Sequence, residues 1–211
     1  MIQWVVEAAR AADVTDRVIV ATPDEEIATA ARFFGAEVVM TSPSHPSGTD
    51  RLAEVATHVD CDLFVNVQGD EPLISPDTIR ACVQPMLADP RVEMASVYSH
   101  CSADEIDTAA VVKVVMDRDG YALYFSRFAI PYPRNPRPEP VFKHVGIYSY
   151  TSRVLMSFSG WRIGALEAAE SLEQLRFMEN GVRIKMSLGA GSELAVDTPE
   201  QAATVREILA R

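Results

Sequence analysis

The sequence has few cysteines, no long apolar run and no excess of basic residues, and each shortage excludes a class of protein. Its three cysteines are an odd number without CxxC spacing, which excludes a disulfide framework and a cysteine zinc site. No apolar run approaches the ~18 residues that a membrane-spanning helix needs. Acidic residues outnumber basic ones by 30 to 19, giving a formal net charge of −11. This charge argues against a broad surface for nucleic acid or for anionic membranes.

The remaining composition is that of a globular protein, with 48% hydrophobic and 23% charged residues in 211 positions. A chain of this length can bury one sizeable core, so we predict a single domain over residues 1–211. We interpret Cys61, Cys82 and Cys101 as buried thiols of a reducing compartment. The N-terminus lacks the basic and apolar segments of a signal peptide. The sequence therefore predicts a cytoplasmic protein that neither inserts into membranes nor binds nucleic acid.

Helical and strand signals alternate through the first half of the chain. A helix is predicted from residue 2, although a doubly wound domain normally opens with a strand. Thr49 or Asp50 is predicted to cap a later helix that runs to about Val59. The predicted strands are 17–21, 37–40, 63–67 and 94–98. Strands separated by helices at this rhythm predict an α/β fold with a doubly wound, mostly parallel sheet.

The second half is richer in strand signals. A hairpin is predicted over 111–125, and the stretch 130–140 contains five prolines, which predicts an extended loop. One long helix is predicted over 166–179. Strands are predicted at 145–150 and 183–188. A last helix is predicted after residue 197. We interpret the segment at roughly 100–150 as a β-rich insertion into the α/β domain.

A carboxylate follows the predicted strand 63–67, in the segment QGDEP that contains Asp70. Open α/β sheets place ligands at the carboxyl ends of their strands, and Mg²⁺ prefers carboxylates together with substrate phosphates. We therefore interpret Asp70 as a magnesium ligand, although a single loop aspartate is more often part of a turn. Asp197 is either the N-cap of the last helix or a second carboxylate at the metal, and spacing favours neither.

Two further groups of polar residues are weaker signals when each is taken alone. Ser47-Gly48-Thr49 lies before a predicted helix, where hydroxyls and backbone N–H groups suit a phosphate. The guanidinium of Arg127 can donate two parallel hydrogen bonds to one carboxylate. The side chains that suit the hydroxyls of a polyol are His144, Tyr148, Glu173 and Gln174. From the residues alone, a packed aromatic ring and surface helix charge are the simpler interpretation of the last group.

Seven motifs occur in order along the chain: HPSGTDR (45–51), VNVQGDEP (65–72), VVKVV (111–115), YALYFSR (121–127), KHVGIY (143–148), ESLEQLR (170–176) and VDTPE (196–200). In this order they closely resemble the 3-deoxy-manno-octulosonate (KDO) cytidylyltransferases, or CMP-KDO synthetases, and not the related CMP-sialate synthetases. The resemblance implies a nucleotide-diphospho-sugar transferase-like, Rossmann-related fold. It also implies an enzyme that activates KDO with CTP, releasing pyrophosphate, for lipopolysaccharide biosynthesis.

The resemblance assigns roles residue by residue. It implies that Asp70 and Asp197 hold magnesium against the CTP phosphates and that Gln68 lies at the junction of the two substrates. The residues implied for the nucleotide are Ser47, Gly48, Thr49 and Arg51. The residues implied for KDO are Arg127, His144, Tyr148, Glu173 and Gln174. A homodimer formed through the β-rich insertion is implied as well.

The chain departs from the family's pattern at its N-terminus. By resemblance, members begin with a strand and a basic loop of the type PARxxSxRxxGK, and only then reach the helix that starts here at Met1. We therefore expect residues 1–211 to lack that strand and loop. Two alternatives stay open: a non-catalytic remnant that binds a sugar acid or forms a dimer, and a cytidylyltransferase for an amino analogue of KDO. A single pocket contact can decide the acceptor.

Overall fold

The computed structural model describes residues 1–135, 140–189, 195–196 and 198–209. The helices within these residues are α1 (Ile2–Ala11), α2 (Glu25–Phe33), α3 (Gly48–Ala56), α4 (Pro76–Ala88), α5 (Ser152–Phe158), α6 (Ala165–Glu170), α7 (Gln174–Glu179) and α8 (Pro199–Leu209). The strands are β1 (Ile19–Thr22), β2 (Glu37–Met40), β3 (Leu63–Asn66), β4 (Met94–His100), β5 (Lys113–Met116), β6 (Ala122–Ser126), β7 (Phe142–Thr151) and β8 (Ile184–Leu188).

The strands form two sheets. β1 and β2 pair in parallel, with Ile19 opposite Glu37. The larger sheet has the order β6-β5-β7-β4-β8, and β3 pairs with one end of β7. β3, β4 and β5 are each antiparallel to β7, and β8 is parallel to β4, so four of the six strands run the same way. The predicted α/β class with mostly parallel strand direction is confirmed, and the antiparallel pairs arise because β6 and β7 run opposite to the other four strands.

Helices cover both faces of the larger sheet, because successive side chains of a strand point to opposite faces. On one face, Tyr150 packs with Phe158 of α5 and Phe177 of α7. On the other face, Ile147 packs with Ile79 of α4. Each of these large side chains is almost completely buried, which stabilises the fold by about 1.5–3 kcal/mol per residue.

A cavity of about 310 Å³ lies between the two sheets. Val20 of β1, Val65 of β3 and Val5 of α1 are among the residues that line it. Within the described residues, β1 is hydrogen-bonded only to β2, and β3 only to β7. The small sheet is therefore joined to the large one by helix packing and not by a continuous ladder of hydrogen bonds.

Two predictions about helix ends were wrong. The helix predicted over 166–179 is two short helices, because Ser171 takes a left-handed conformation with φ 52° and ends α6. α3 is capped by Ser47 and not by Thr49 or Asp50: the Ser47 Oγ accepts from the backbone N–H of Asp50 at 3.1 Å. Both ends depend on backbone conformations that hydrophobic periodicity does not report.

The cysteines differ from the prediction that all three are buried. Cys82 is buried, Cys101 is half-buried and Cys61 is exposed, and none of the three forms a disulfide within the described residues. The proline-rich stretch lies between β6 and β7, and its residues 136–139 lie outside the described ranges. Among the helices that the structure describes, none has the length and apolar character needed to cross a membrane.

Candidate active site

The guanidinium of Arg127 is held by three backbone carbonyls. Its Nε donates to the carbonyl of Glu170 at 2.7 Å, its Nη1 to that of Ala109 at 3.1 Å and its Nη2 to that of Ser171 at 3.3 Å. A guanidinium has five N–H groups, so one N–H on each terminal nitrogen makes no hydrogen bond within the described residues. Arg127 is thus a fixed cation with donors to spare, which suits an anionic group.

The main chain of Arg127 is held by two charged side chains of opposite sign. Its N–H donates to Glu170 Oε2 at 3.0 Å, and its carbonyl accepts from Lys113 Nζ at 2.6 Å. Lys113 is completely buried, and burial lowers the pKa of its ammonium. The same ammonium donates to the carbonyls of Thr108 and Val111. The sequence predicted no functional role for Lys113 or Glu170, although both lie inside motifs that carry the resemblance.

The rings of His144 and Tyr148 lie side by side on β7, and Tyr148 reaches α7. The ring centroid of His144 is 5.1 Å from that of Phe125 and 5.2 Å from that of Tyr148. The Tyr148 hydroxyl donates to Gln174 Oε1 at 3.1 Å. Gln174 Nε2 is buried and has no hydrogen-bond partner within the described ranges. A buried donor without a partner is costly, so its position next to Tyr148 indicates a place for a polar ligand.

Burial determines the charge of both rings. It lowers the pKa of His144 to about 3 and raises the pKa of Tyr148 well above its ordinary value. Both side chains are therefore neutral near pH 7. Tyr150 and the negative charges of Glu173 and Glu71 raise the pKa of Tyr148 further.

The loop after β3 approaches the same pocket. A Cβ atom added to Gly146 on β7 would lie 3.1 Å from Glu71 Oε1, so a side chain at residue 146 would press against that carboxylate. Asp70 precedes Glu71 and is exposed to solvent. The structure therefore brings the loop that carries Asp70 next to the pocket formed by Tyr148, Gln174 and Glu173.

The predicted nucleotide residues lie at the start of α3, next to an earlier part of the same loop. Ser47 Oγ both caps α3 and donates to Asp50 Oδ2 at 2.8 Å. Arg51 Nη1 donates to Thr41 Oγ1 at 2.6 Å, which ties the loop to the helix. A Cβ atom on Gly48 would lie 3.5 Å from Gln68 Oε1, so Gly48 and Gln68 are in contact. The structure thus brings Ser47, Gly48, Thr49, Arg51 and Gln68 into one neighbourhood.

The predicted pair of metal ligands is only partly described. Asp197 lies outside the described ranges, but the N–H of its neighbour Val196 donates to the Asp70 carbonyl at 2.8 Å. Two segments about 125 residues apart in sequence are therefore in direct contact beside Asp70. In the part of the chain that the structure describes, no group of three or more His, Cys, Asp or Glu residues is placed to hold a metal ion.

Comparison with known proteins gives the family. A family model described as "Cytidylyltransferase" matches residues 1–184. The 3-deoxy-manno-octulosonate cytidylyltransferase of Syntrophotalea carbinolica is 46% identical over 210 residues, which cover 95% of this chain and 84% of that protein. This chain belongs to the KDO cytidylyltransferase family. The resemblance inferred from the seven motifs is confirmed, and the chain is a member of a family of transferase enzymes.

Two further members sharpen the comparison. A solved structure of CMP:2-keto-3-deoxy-manno-octonic acid synthetase complexed with CTP superposes with a TM-score of 0.96 and 42% identity, covering 99% of this chain and 87% of that chain. The 8-amino-3,8-dideoxy-manno-octulosonate cytidylyltransferase of a Shewanella species (strain ANA-3) is 44% identical over 205 residues, covering 95% of this chain and 84% of that protein. The family therefore includes members named for two related acceptor sugars.

Proposed function

We propose that this KDO cytidylyltransferase family member transfers the cytidylyl group of CTP to KDO, forming CMP-KDO and pyrophosphate for lipopolysaccharide biosynthesis. The observation that carries the proposal is the Arg127 guanidinium, because it is fixed on three carbonyls and still has two N–H groups for a carboxylate. A sugar acid offers that carboxylate. The relatives named for KDO support the choice of acid.

In the proposed reaction, the anomeric hydroxyl oxygen of KDO attacks the α-phosphorus of CTP. The new O–P bond forms in line with the bond to the β-phosphate, which breaks and releases pyrophosphate, and the hydroxyl proton passes to solvent. Arg127 holds the sugar carboxylate, while His144, Tyr148, Glu173 and Gln174 orient the hydroxyls. Catalysis of this kind comes from positioning and charge stabilisation, since no covalent enzyme intermediate is needed.

On the nucleotide side, we assign Ser47, Gly48, Thr49 and Arg51 to CTP and Gln68 to the junction of the substrates. Support comes from the contact between Gly48 and Gln68, because it places the nucleotide loop beside the loop that reaches the sugar pocket. The Ser47 hydroxyl is engaged in capping α3. We therefore propose that this residue acts through the shape of the loop and its backbone.

We propose that Asp70 and Asp197 hold a magnesium ion. The hydrogen bond from Val196 to the Asp70 carbonyl supports this, because it brings a second acidic segment to an exposed carboxylate. Two hard carboxylate oxygens fit Mg²⁺, which takes its other ligands from phosphates and water. When bound, the ion supplies charge neutralisation for the triphosphate.

The proposal is tested by measuring pyrophosphate release from CTP by the 211-residue chain. Release that requires both KDO and magnesium supports the transferase. A matched reaction with a monosaccharide that lacks the carboxylate should release none. Binding of KDO without any release contradicts the enzymatic proposal and favours a non-catalytic sugar-acid-binding remnant.

A second acceptor is favoured by one specific observation. Relatives named for 8-amino-3,8-dideoxy-manno-octulosonate are 44% identical to this chain, close to the identity of those named for KDO. The two sugars share the carboxylate that Arg127 would bind. They differ in the substituent on one carbon atom of the sugar. Comparing kcat/KM for the two sugars with the same protein decides between them, and we expect KDO to be preferred.

We also propose that the protein forms a homodimer through the β-rich insertion and that it works in the cytoplasm. Phe128 and Tyr132 support the dimer, because they are 82% and 86% exposed and lie close together in sequence within the insertion. Cysteines that form no disulfide within the described residues agree with a reducing compartment. Light scattering should give twice the monomer mass of 23.2 kDa, and Phe128→Ser should shift the mass towards that of the monomer.

A further inference from the structure

β7 carries an irregularity next to the pocket. Ser96 of β4 pairs with Tyr148, but the next residue, Val97, pairs with Val145, so Gly146 and Ile147 form a bulge in β7. Bulges redirect side chains and leave backbone groups to be satisfied in other ways. Here the completely buried Ser96 hydroxyl donates to the Ile147 carbonyl at 2.7 Å.

The same hydroxyl also contacts His144, at 3.0 Å between Ser96 Oγ and His144 Nε2. A serine hydroxyl has one proton, and a carbonyl oxygen can only accept. Because the Ser96 proton is used on the Ile147 carbonyl, Ser96 must accept from His144. His144 therefore carries its proton on Nε2.

A neutral imidazole has a single N–H, so Nδ1 of His144 is then an unprotonated acceptor. Nδ1 makes no hydrogen bond within the described residues, and His144 remains partly exposed. The ring is held by the edge of Phe125 and by Tyr148. Burial keeps the ring neutral, because it lowers the pKa of His144 to about 3.

We propose that Ser96 is a positioning residue that fixes His144 as the Nε2–H tautomer, so that Nδ1 accepts a hydrogen bond from a hydroxyl or ammonium group of the acceptor sugar. This inference rests on the proposed function, in which the pocket binds KDO. The two residues then recognise different groups of the sugar. Arg127 binds the carboxylate, whereas His144 binds a hydrogen-bond donor and does not contact the carboxylate.

The tautomer is measured directly in the ligand-free protein. The chain has four histidines, so ¹⁵N labelling of histidine gives few signals, and the His144→Gln spectrum assigns the one of interest. At pH 7 we expect His144 to show a protonated Nε2 and an unprotonated Nδ1 in long-range ¹H–¹⁵N correlation spectra. A protonated Nδ1 overturns the inference, and this measurement needs no variant at residue 96.

Two variants test Ser96 itself. Ser96→Ala removes the acceptor for the buried Nε2–H, so we expect a mixture of tautomers and a rise of about tenfold in the KM for KDO, with the KM for CTP unchanged. Ser96→Thr keeps the hydroxyl and should keep the single tautomer. A single Nε2–H tautomer that persists in Ser96→Ala overturns the role of Ser96.

Titration with KDO separates this inference from the proposed function. Binding followed by calorimetry tests whether KDO is a ligand, and we expect the His144 Nδ1 resonance to move while Nε2 stays in place. KDO that binds without moving Nδ1 overturns the inference but leaves the proposed function standing. Absence of KDO binding contradicts the proposed function, whereas the tautomer in the ligand-free protein still tests Ser96 independently.

Discussion

The small sheet and the large sheet are stabilised in different ways. The small sheet, β1 with β2, packs on alanine and valine side chains such as Ala31 and Val20. The large sheet buries Tyr150, Phe158 and Phe177 in a stack of aromatic rings, with centroid distances of 5.3 Å and 4.7 Å between Phe177 and the other two. Large buried side chains contribute more burial free energy, so stability is concentrated in the large sheet.

This difference bears on the two halves of the candidate active site. The proposed sugar pocket lies on β7 and α7, inside the well-packed region. The proposed nucleotide loop precedes α3 and borders the cavity between the sheets. We infer that the sugar pocket is largely pre-formed. The nucleotide half of the site is less stable, so a bound ligand should stabilise it more.

The largest effect is expected at Asp70, in the loop where the two halves meet. Asp70→Asn should lower magnesium-dependent pyrophosphate release by about 10³-fold or more, since it removes one of two proposed metal ligands. The fold should be unchanged because Asp70 is exposed. Asp60→Asn, an exposed change just before β3, is the matched control. Near-normal turnover by Asp70→Asn would remove this residue from the metal site.

A smaller effect, confined to the sugar half of the candidate active site, is expected at Arg127. Arg127→Ala should raise the KM for KDO by about 10–100-fold, because hydrogen bonds between charged groups are worth ~1.5–3 kcal/mol. The KM for CTP should change little. Steady-state kinetics with each substrate varied in turn measure the split, and Arg91→Ala, which alters a largely exposed arginine, is the control. Equal increases in both KM values would contradict the assignment to the sugar half.

The two sheets can be compared with one type of substitution. Val154→Ala removes two methyl groups from the closely packed side of the large sheet and should lower the free energy of unfolding by about 2 kcal/mol. Val20→Ala makes the same change beside the existing cavity and should cost about 1 kcal/mol, since Val20 has fewer atoms to lose contact with. Urea unfolding of both variants measures the difference. A larger loss for Val20→Ala would reverse the ranking of the two regions.

A further effect is a pH dependence of stability that comes from His144. Its pKa falls from 6.5 to about 3 on folding because of burial, so below pH 6.5 the unfolded chain binds a proton that the folded chain does not. Stability should therefore fall as pH drops from about 6.5 towards 3, by up to about 1.4 kcal/mol per pH unit from this residue. Urea unfolding between pH 5 and 7 should show a weaker dependence in His144→Gln.

His58→Gln is the control for that measurement, because His58 is exposed. It should leave the pH dependence of the wild type unchanged. The same slope in all three proteins would show that His144 titrates similarly in the folded and unfolded chains, and that its ring is open to water.

Local patterns predicted most elements and the family. Strand β2 was predicted with its observed bounds, and β4 and β7 were predicted within a few residues. The structure places Gly48 beside Gln68 and Tyr148 beside Gln174, and the roles of these residues in binding stay a prediction. α5 was not predicted, and the break at Ser171 was missed because a left-handed serine has no signature in hydrophobic spacing. The pairing of Asp70 with Asp197 stays a prediction.

Contacts between residues that are distant in sequence could be identified only from the tertiary structure. Ser96 and His144 are 48 positions apart, and they meet because a bulge shifts the register between β4 and β7. Lys113 and the Arg127 carbonyl meet because β5 and β6 pair across a turn. The sequence by itself determined the family and the identities of the polar side chains, since these are written in short motifs. Folding alone decided proton positions and burial, because both depend on which groups the chain brings together in space.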